Sequence, residues 1–363
     1  MTKKLQLSHS SISKYQTCGQ MYKYHYVDKL RPTGIGSALL FGKAIDYAIE
    51  KELKGEDGIK EFELKWRYQE VDGKLEDLIT LDSIQYLKSD LDLELLSSED
   101  FDFLNEYKPI NVSGIEESLK LVKQSEFRKV SDDVIAHVNV AYWLSLRVKG
   151  KLMLEAFKTN LKPRIKEVIA TQKKIELTNS NGDSVIGYVD LIAKLDDDTV
   201  AVLDIKTSGK EYEVDSVEKS VQLALYSYAI ADEIPHSKCG FMVLIKKPVK
   251  EYSKVCESCG AENESTHKSC PVILPGGKKC GGSFKTDVSF YGESQLLLDT
   301  INERTKQMIV DNFDMASRAI SSGIYIRNFT ACKSIFGQEC PYMGKCFKDS
   351  CEGLVQHSTD KSS

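Results

Sequence analysis

Val185-Ile186-Gly187-Tyr188-Val189-Asp190-Leu191-Ile192-Ala193, then Asp196-Asp197-Asp198, then Val200-Ala201-Val202-Leu203-Asp204-Ile205-Lys206 sets the architecture of this chain. The two outer runs are apolar and β-branched, and the acidic triplet between them is turn-forming, so the segment reads as two strands of a hairpin. Side chains alternate faces along a strand, which puts Asp204 and Lys206 on one face. A tight hairpin brings Asp190 beside them. Two carboxylates and an ammonium at a strand end form a site for a hard divalent cation and an activated water. That is the chemistry of phosphodiester hydrolysis, and it implies a nuclease. Asp-x-Lys on a solvated hairpin face is the plain alternative.

Strands also read over Glu167–Leu177 before the hairpin and over Gly240–Lys246 after it, with a helix over Val217–Ala231 between. This β-β-β-α-β order predicts a mixed α/β core sheet. Helices are expected over Leu39–Leu53 and, around Tyr142, Leu146 and Met153, as a long amphipathic element. Another is expected from near Ser294 to the Gly323–Asn328 region. The N-terminal serines are helix-capping candidates, and Trp66 and Trp143 read as packing residues. On the Val217–Ala231 helix, Gln222 and Tyr226 share a face. Turned toward the strand ends, Gln222 would bond a water or a phosphate oxygen, and Tyr226 would do likewise or stack on a base. An amphipathic helix with one polar residue at its rim is the alternative.

The chain has 363 residues, 41% apolar, with a net charge of −5. That is enough for one large domain with insertions, and no apolar run is long enough to span a membrane. The start, Met1 to Ser10, has no apolar stretch behind its lysines, so a cytoplasmic protein without a signal peptide is expected. Acidic residues concentrate between about 76 and 133, in an expected helical arm. Basic clusters stand at Lys162/Arg164/Lys166, Lys246/Lys247/Lys250 and Lys278/Lys279/Lys285. Whole-chain charge therefore does not exclude a nucleic-acid partner.

Ten cysteines favour metal sites over disulfides in a cytosolic chain. Cys256-Glu257-Ser258-Cys259-Gly260 is a metal knuckle, and Cys270 and Cys280 complete a four-thiolate set for structural Zn²⁺. His267 is a substitute ligand there, and reduced thiols in a loop are the alternative. Because the segment interrupts two strand-like runs, it reads as a zinc ribbon at a hairpin tip. His137, His236 and His357 have no convincing partners.

Gly187-Tyr188-Val189-Asp190, Leu203-Asp204-Ile205-Lys206-Thr207 and Gln222-x-x-x-Tyr226 resemble three successive core motifs of the RecB-type branch of the PD-(D/E)xK nuclease superfamily. The branch includes the iron–sulfur nucleases of CRISPR adaptation and many phage exonucleases. Leu7-Ser8-x-Ser10-x4-Tyr15-x-x-Cys18-x-x-x-Tyr22 is similar to its N-terminal signature, with Gly19 where proline is usual. Phe41-Gly42-Lys43-Ala44-Ile45-Asp46 resembles its Gly-x-x-x-His motif, with Asp46 in place of the metal-binding histidine. Asp46 is then a hard oxygen ligand or an ordinary helix-surface carboxylate.

The resemblance implies a restriction-endonuclease-like mixed core sheet flanked by helices, with an N-terminal helical region. Together with the residue patterns, which supply the arm, the ribbon and the tail, the expected segments are N-terminal helices (1–55), a helical arm (56–164), the nuclease core (165–250), an inserted zinc ribbon (251–285) that the family core does not require, a C-terminal helix and cluster segment (286–351) and a disordered tail (352–363). It implies that Asp190, Asp204, the Ile205 carbonyl and Asp46 bind Mg²⁺ or Mn²⁺, with Lys206 stabilising the attacking hydroxide. Cys340-Pro341-Tyr342-Met343-Gly344-Lys345-Cys346 extends the likeness to iron–sulfur members. Carried over, Cys18, Cys332, Cys340 and Cys346 hold a [4Fe–4S] cluster, with Cys351 a rival for one place and zinc the alternative occupant. The implied activity is a deoxyribonuclease, an exonuclease on DNA ends or single strands. It would serve recombination, repair or phage DNA processing, with a helicase or recombination protein as partner, in the host cytoplasm if phage-encoded. A catalytically silent DNA-binding scaffold that keeps the fold and metals is the competing reading.

Overall fold

The computed structural model describes residues 4–32, 37–66, 132–262, 268–333 and 339–356, with a few isolated residues between 95 and 118. Most of the expected acidic arm, His267, His357, the side chain of His137 and the end of the tail lie outside the described residues. In chain order the elements are β1 (Gln6–Ser8), α1 (His9–Thr17), α2 (Gly19–Tyr22), β2 (Leu30–Pro32), α3 (Ser37–Leu53), α4 (Gly58–Lys65), α5 (Asp132–Ala156) and β3 (Ile165–Thr178). They continue as β4 (Ser184–Leu195), β5 (Val200–Ser208), α6 (Val221–Ile230), β6 (Lys238–Cys256), β7 (Phe284–Asp299), α7 (Glu303–Ser321), α8 (Met343–Lys348) and β8 (Leu354–Gln356). Among the described residues no helix is long and apolar enough to cross a membrane.

The hairpin forms as its sequence dictates. Leu191 to Lys194 pairs antiparallel with Leu203 to Val200. At the turn Asp198 has φ 66°, a left-handed conformation that Asp tolerates, and Asp197 accepts the Thr199 N–H. A six-stranded mixed sheet runs β1-β4-β5-β6-β7, with β3 on the other edge of β4. The α6 crossover makes β5 and β6 parallel, while β6 and β7 form a long antiparallel hairpin.

The sheet is covered on both faces. Leu203, Ile205, Met242 and Leu244 pack with α3, α4 and α5. Val202, Phe241, Val243 and Ile245 pack with α6 and α7 on the other face. This is the mixed α/β sheet flanked by helices that the motif order predicts. Trp66 and Trp143, both fully buried, stack with centroids 6.2 Å apart. Gly150 lets the Phe62 ring lie against α5, where a Cβ would fall 2.2 Å from ring carbon Cζ. Residues Val140 to Arg147 are buried all round, so α5 is a central helix rather than an amphipathic surface one.

The last long helix starts later than expected. Residues 294–299 belong to β7, because Leu296 and Leu298 pack on one face of the sheet and Leu297 on the other. That period of two overrides the apolar run's helical look. The α7 helix begins after Asn302, whose side chain accepts the Thr305 N–H at 2.8 Å. At the N-terminus, Ser8 and Ser11 form a reciprocal capping box that starts α1 where β1 ends.

Candidate active site and thiolate clusters

One edge of β4 is shared. Its residues Ser184–Ile186 pair with β1 and Leu191–Lys194 pair with β5. Between these partners, among the described residues, Gly187–Asp190 meets no strand on that side. Asp190 lies at the point where β4 and β5 part, and its Oδ2 accepts the Ile205 N–H at 2.9 Å. The carboxylate thus replaces the ladder bond that Ile205 has lost. Its Oδ1 accepts from Gln172 Nε2 at 3.3 Å. Gln172 holds φ 48° on β3, a left-handed position in a strand, and nothing in the sequence marked it.

Asp204 is fully buried, with its side chain 1% exposed. The Lys206 ammonium stands 2.6 Å from its Oδ2, so the two residues expected on one face are together. Neither Asp204 oxygen receives a well-directed hydrogen bond. The ion pair with Lys206 offsets part of the cost of burying this charge, and a hard cation would satisfy the oxygen positions that remain. Burial raises the Asp204 pKa above the usual carboxylate range, against the pull of Lys206, and Asp190 adds to the rise. Burial pushes Lys206 down, but Asp204 and then Asp190 lift it above its ordinary value. Both partners of the ion pair therefore shift upward. For Asp204 burial outweighs the pair, and Lys206 stays a cation, which makes it a charge stabiliser rather than a base.

Asp46 reaches this group from α3, on the other side of the sheet from α6. Its pKa is pushed up to about 7, first by burial and then by the charge of Asp190, with Lys206 opposing and Asp204 adding. An ordinary surface carboxylate would feel none of these charges. Asp46, Asp190 and Asp204 share one electrostatic field that one ammonium leaves uncompensated, and this donor set fits a divalent cation with oxygen ligands.

The α6 helix supplies the opposite wall. Ser220 caps it, accepting the Leu223 N–H at 3.1 Å. Lys206 Nζ donates to Gln222 Oε1 at 3.2 Å, and Gln222 Nε2 donates to the Tyr226 hydroxyl at 2.8 Å. Tyr226 is only 4% exposed, and a Cβ on Gly187 would fall 3.0 Å from its ring. Stacking of Tyr226 on a base is therefore ruled out: its ring is packed against Gly187 and Ile175, and its hydroxyl orients Gln222. His9, which opens α1 beside the gap in β4, lies within the field of Lys206. Burial lowers its pKa first, and Lys206 lowers it further. Nothing in the pattern around His9 singles it out.

The basic cluster Lys162/Arg164/Lys166 is engaged in surface ion pairs. Its members pair with Glu52, Asp196 and Asp198 respectively. His236 bonds Ser227 and the Ile234 carbonyl and is structural.

The two cysteine groups differ in spacing. Cys256, Cys259, Cys270 and Cys280 have ligand atoms all within 4.8 Å of one another, and the Cys256–Cys280 and Cys259–Cys270 sulfurs are 3.6 Å apart. Tetrahedral Zn–S bonds of about 2.3 Å place sulfurs just under 4 Å apart, so this set fits zinc. It sits between β6 and β7, beyond the paired residues Cys256 and Phe284. Gly282 is required there, since its Cβ would lie 2.8 Å from the Cys256 sulfur.

Cys18, Cys332, Cys340 and Cys346 instead line one small cavity with Met21, Tyr24 and Tyr342. Four thiols on one cavity are the number that a cluster or a zinc ion requires. Cys351 is exposed and does not line the cavity. Around it β2 pairs with β8, and Tyr24, Leu30 and Tyr342 form a small core that joins the two ends of the chain. Gly19 faces the backbone of Tyr325 and Ile326, where a Cβ would fall 2.7 Å from the Ile326 nitrogen. Proline, the usual residue of the resembling signature, has no room here.

No curated protein matches the chain. A solved structure described as "Crystal structure of SSO0001" is similar to it over 61% of this chain and 84% of the other, with 14% identity and a TM-score of 0.23. That likeness is too loose to bear on the site. The profile of the PD-(D/E)XK nuclease superfamily matches residues 6–346, from the first strand of the sheet to the last cysteine of that cavity. With that span and this mixed sheet, the chain belongs to the PD-(D/E)XK nuclease superfamily.

Proposed function

We propose that the protein is a metal-dependent deoxyribonuclease of the RecB-type branch, cutting DNA from ends or as single strands in recombination, repair or phage DNA processing. One observation carries the reading. A fully buried Asp204 has no well-directed donor, and Asp190, Asp46 and Lys206 share its field. Asp46, Asp190, Asp204 and the Ile205 carbonyl would hold one or two Mg²⁺ or Mn²⁺ ions. Bound there, the metal supplies a water of lowered pKa and neutralises charge on the phosphoryl group in the transition state.

The protein's own residues do the rest. Lys206 places a fixed positive charge beside the attacking hydroxide. Tyr226 holds the Gln222 amide, and Gln222 holds the Lys206 ammonium, so three side chains form one positioning chain. Asp190 keeps β5 in place through the Ile205 N–H. The test uses end-labelled single- and double-stranded DNA with Mg²⁺ or Mn²⁺. Asp204→Ala and Lys206→Ala should abolish cleavage and leave DNA binding largely intact. Full activity in both variants would refute the site, and an inactive wild type would favour a silent DNA-binding scaffold, the reading that Asp46 in a histidine's place supports.

A [4Fe–4S] cluster held by Cys18, Cys332, Cys340 and Cys346 and a Zn²⁺ held by Cys256, Cys259, Cys270 and Cys280 complete the proposal. The cluster would clip chain ends more than three hundred residues apart, closing a very long loop, which makes its role structural. Anaerobically purified protein should be coloured and contain iron and sulfide; colourless, iron-free protein would eliminate the cluster.

A further inference from the structure

The outer half of the β6–β7 hairpin is an arm that leaves the sheet. A register shift between Ile245 and Val249, containing Lys246-Lys247-Pro248, marks its root. There Gly292 seats β7 against α5, with space for no Cβ: one would lie 2.1 Å from the Leu152 carbonyl oxygen. Beyond the root, Val249–Cys256 pairs with Tyr291–Phe284 up to the four-cysteine knot. Most of the ribbon's side chains are exposed. A two-stranded ribbon alone is marginal in water, so the knot at its tip and the seat at its root hold it straight.

Pairing sorts the arm's side chains by charge. Lys250, Tyr252 and Lys254 alternate along β6 on one face, opposite Phe290, Val288 and Thr286 of β7. Among the described residues of the ribbon, that face contains two lysines, two aromatics and no acid. The carboxylates of this stretch, Glu251 and Asp287, fall on the reverse face. Tyr252 is 65% exposed, and the Lys250 ammonium sits 5.7 Å from the centre of the Phe290 ring. Lys250 and Lys254 are about 13 Å apart along the strand, with the Tyr252 ring between them. Charges at intervals with an exposed ring between is the arrangement that holds a single strand, phosphates on the ammonium groups and a base on the ring. At the root, Lys247 and Lys250 border a cleft of about 600 Å³ whose other wall is Gly209–Glu211, the loop that follows β5. Gly209 comes three residues after Lys206, so this surface adjoins the strand that bears the candidate site.

We propose that the Lys250–Tyr252–Lys254 face of the arm is a binding surface for single-stranded DNA, which passes the strand toward the Asp204/Lys206 centre. Its purpose rests on the nuclease reading, but its binding chemistry does not. The competing occupant is a protein partner.

The experiment measures anisotropy of labelled oligothymidylate on full-length, zinc-loaded protein carrying Asp204→Asn, over a range of salt. Tyr252→Ala should weaken binding by about tenfold, the effect of losing one stacked base. Lys250→Glu with Lys254→Glu should weaken it further and flatten the plot of log K against log salt by about 1.4, at roughly 0.7 per phosphate contact. Glu251→Lys and Asp287→Lys, on the reverse face, should cause no loss. Zinc content equal to the parent's shows in each case that the arm is folded. Unchanged affinity and salt slope in both the Tyr252 and the double-lysine variants would overturn the proposal, as would equal losses from reverse-face variants. A protein complex that is lost with the Tyr252 variant while DNA affinity persists would assign the face to the partner instead. Cleavage by otherwise wild-type protein is scored separately, so an inactive enzyme whose arm variants still lose DNA would sink the nuclease reading and leave this one standing.

Discussion

Replacing Asp46 by asparagine should make the metal-free protein more stable at alkaline pH and worse at using a divalent cation. Burial, then Asp190, hold the Asp46 carboxyl at about 7 instead of its ordinary 3.8. The sign follows from comparing folded and unfolded chains. Between those two values the native protein keeps a proton that the unfolded chain has released, so stability falls as pH rises through the window, and above about 7 the whole penalty is in place. Three pH units correspond to a ceiling of about 4 kcal/mol. Asp46 is partly exposed, and solvent screens its neighbours, so about 2 kcal/mol is the working figure. Because Asp204 lies in the same field and its carboxyl is raised as well, this titration belongs to the pair and not to Asp46 alone.

The assay is thermal or urea unfolding of wild type and Asp46→Asn, at a pH well below and one well above 7. Buffers are freed of metal on a chelating resin, since a soluble chelator would also strip the cysteine sites. Wild type should lose stability at the higher pH, and the asparagine variant should lose about 2 kcal/mol less. Saturating Mg²⁺ should restore the wild type by about 2.7 kcal/mol at a hundred times its dissociation constant, and the variant by clearly less. Identical pH and Mg²⁺ responses in the two proteins would refute the placement of Asp46 in the shared field.

Tyr226→Phe removes the hydroxyl that Gln222 Nε2 bonds at 2.8 Å. It should lower the cleavage rate on labelled DNA about tenfold while costing only about 1 kcal/mol of stability. Cys351→Ser should leave iron and sulfide content unchanged, and Cys332→Ser should reduce it, because of these two only Cys332 lines the cavity; equal content in both would break the assignment. Gly19→Ala places a Cβ 2.7 Å from the Ile326 nitrogen, so it should destabilise the joined chain ends and lower iron content, measured by unfolding midpoint and iron assay.

The hairpin at the centre of the fold was readable because period-two patterning is local: Val185–Ala193 and Val200–Lys206 carry it in adjacent stretches, with turn residues between. The face shared by Asp204 and Lys206, and by Gln222 and Tyr226, followed from the same periodicities. What escaped reading depends on what packs on what. The triple leucine at 296–298 looks helical until both faces of a sheet are there to receive it. The left-handed Gln172 faces Asp190 across a strand pair, and His9 meets the field of Lys206, nearly two hundred residues away in sequence. Base stacking by Tyr226 was plausible until Gly187 proved to be the space its ring fills. For the cysteines, counting gave the two groups, but only the fold brings Cys18 to Cys332, Cys340 and Cys346 across the length of the chain and closes the other four to a spacing that fits one ion.

The candidate site lies where the sheet leaves a gap in its own hydrogen bonding, and the two facts have one cause. If β5 continued to pair with β4 beyond Leu191 and Leu203, the Ile205 N–H would be taken by the ladder and the two aspartates would stand on a closed surface. Because the strands part there, the Asp190 carboxylate must satisfy Ile205, which fixes that side chain against β5 and turns it toward the buried Asp204. The opening admits Asp46 from α3 on one face and Gln222 from α6 on the other. Each chain segment contributes a group that is poorly satisfied without the others. The carboxylates repel one another, and burial raises two of them well above their ordinary range. A fold stabilised only by its core would have no use for this concentration of unsatisfied acid, whereas a divalent cation resolves it at once, since ligand charge then becomes binding energy.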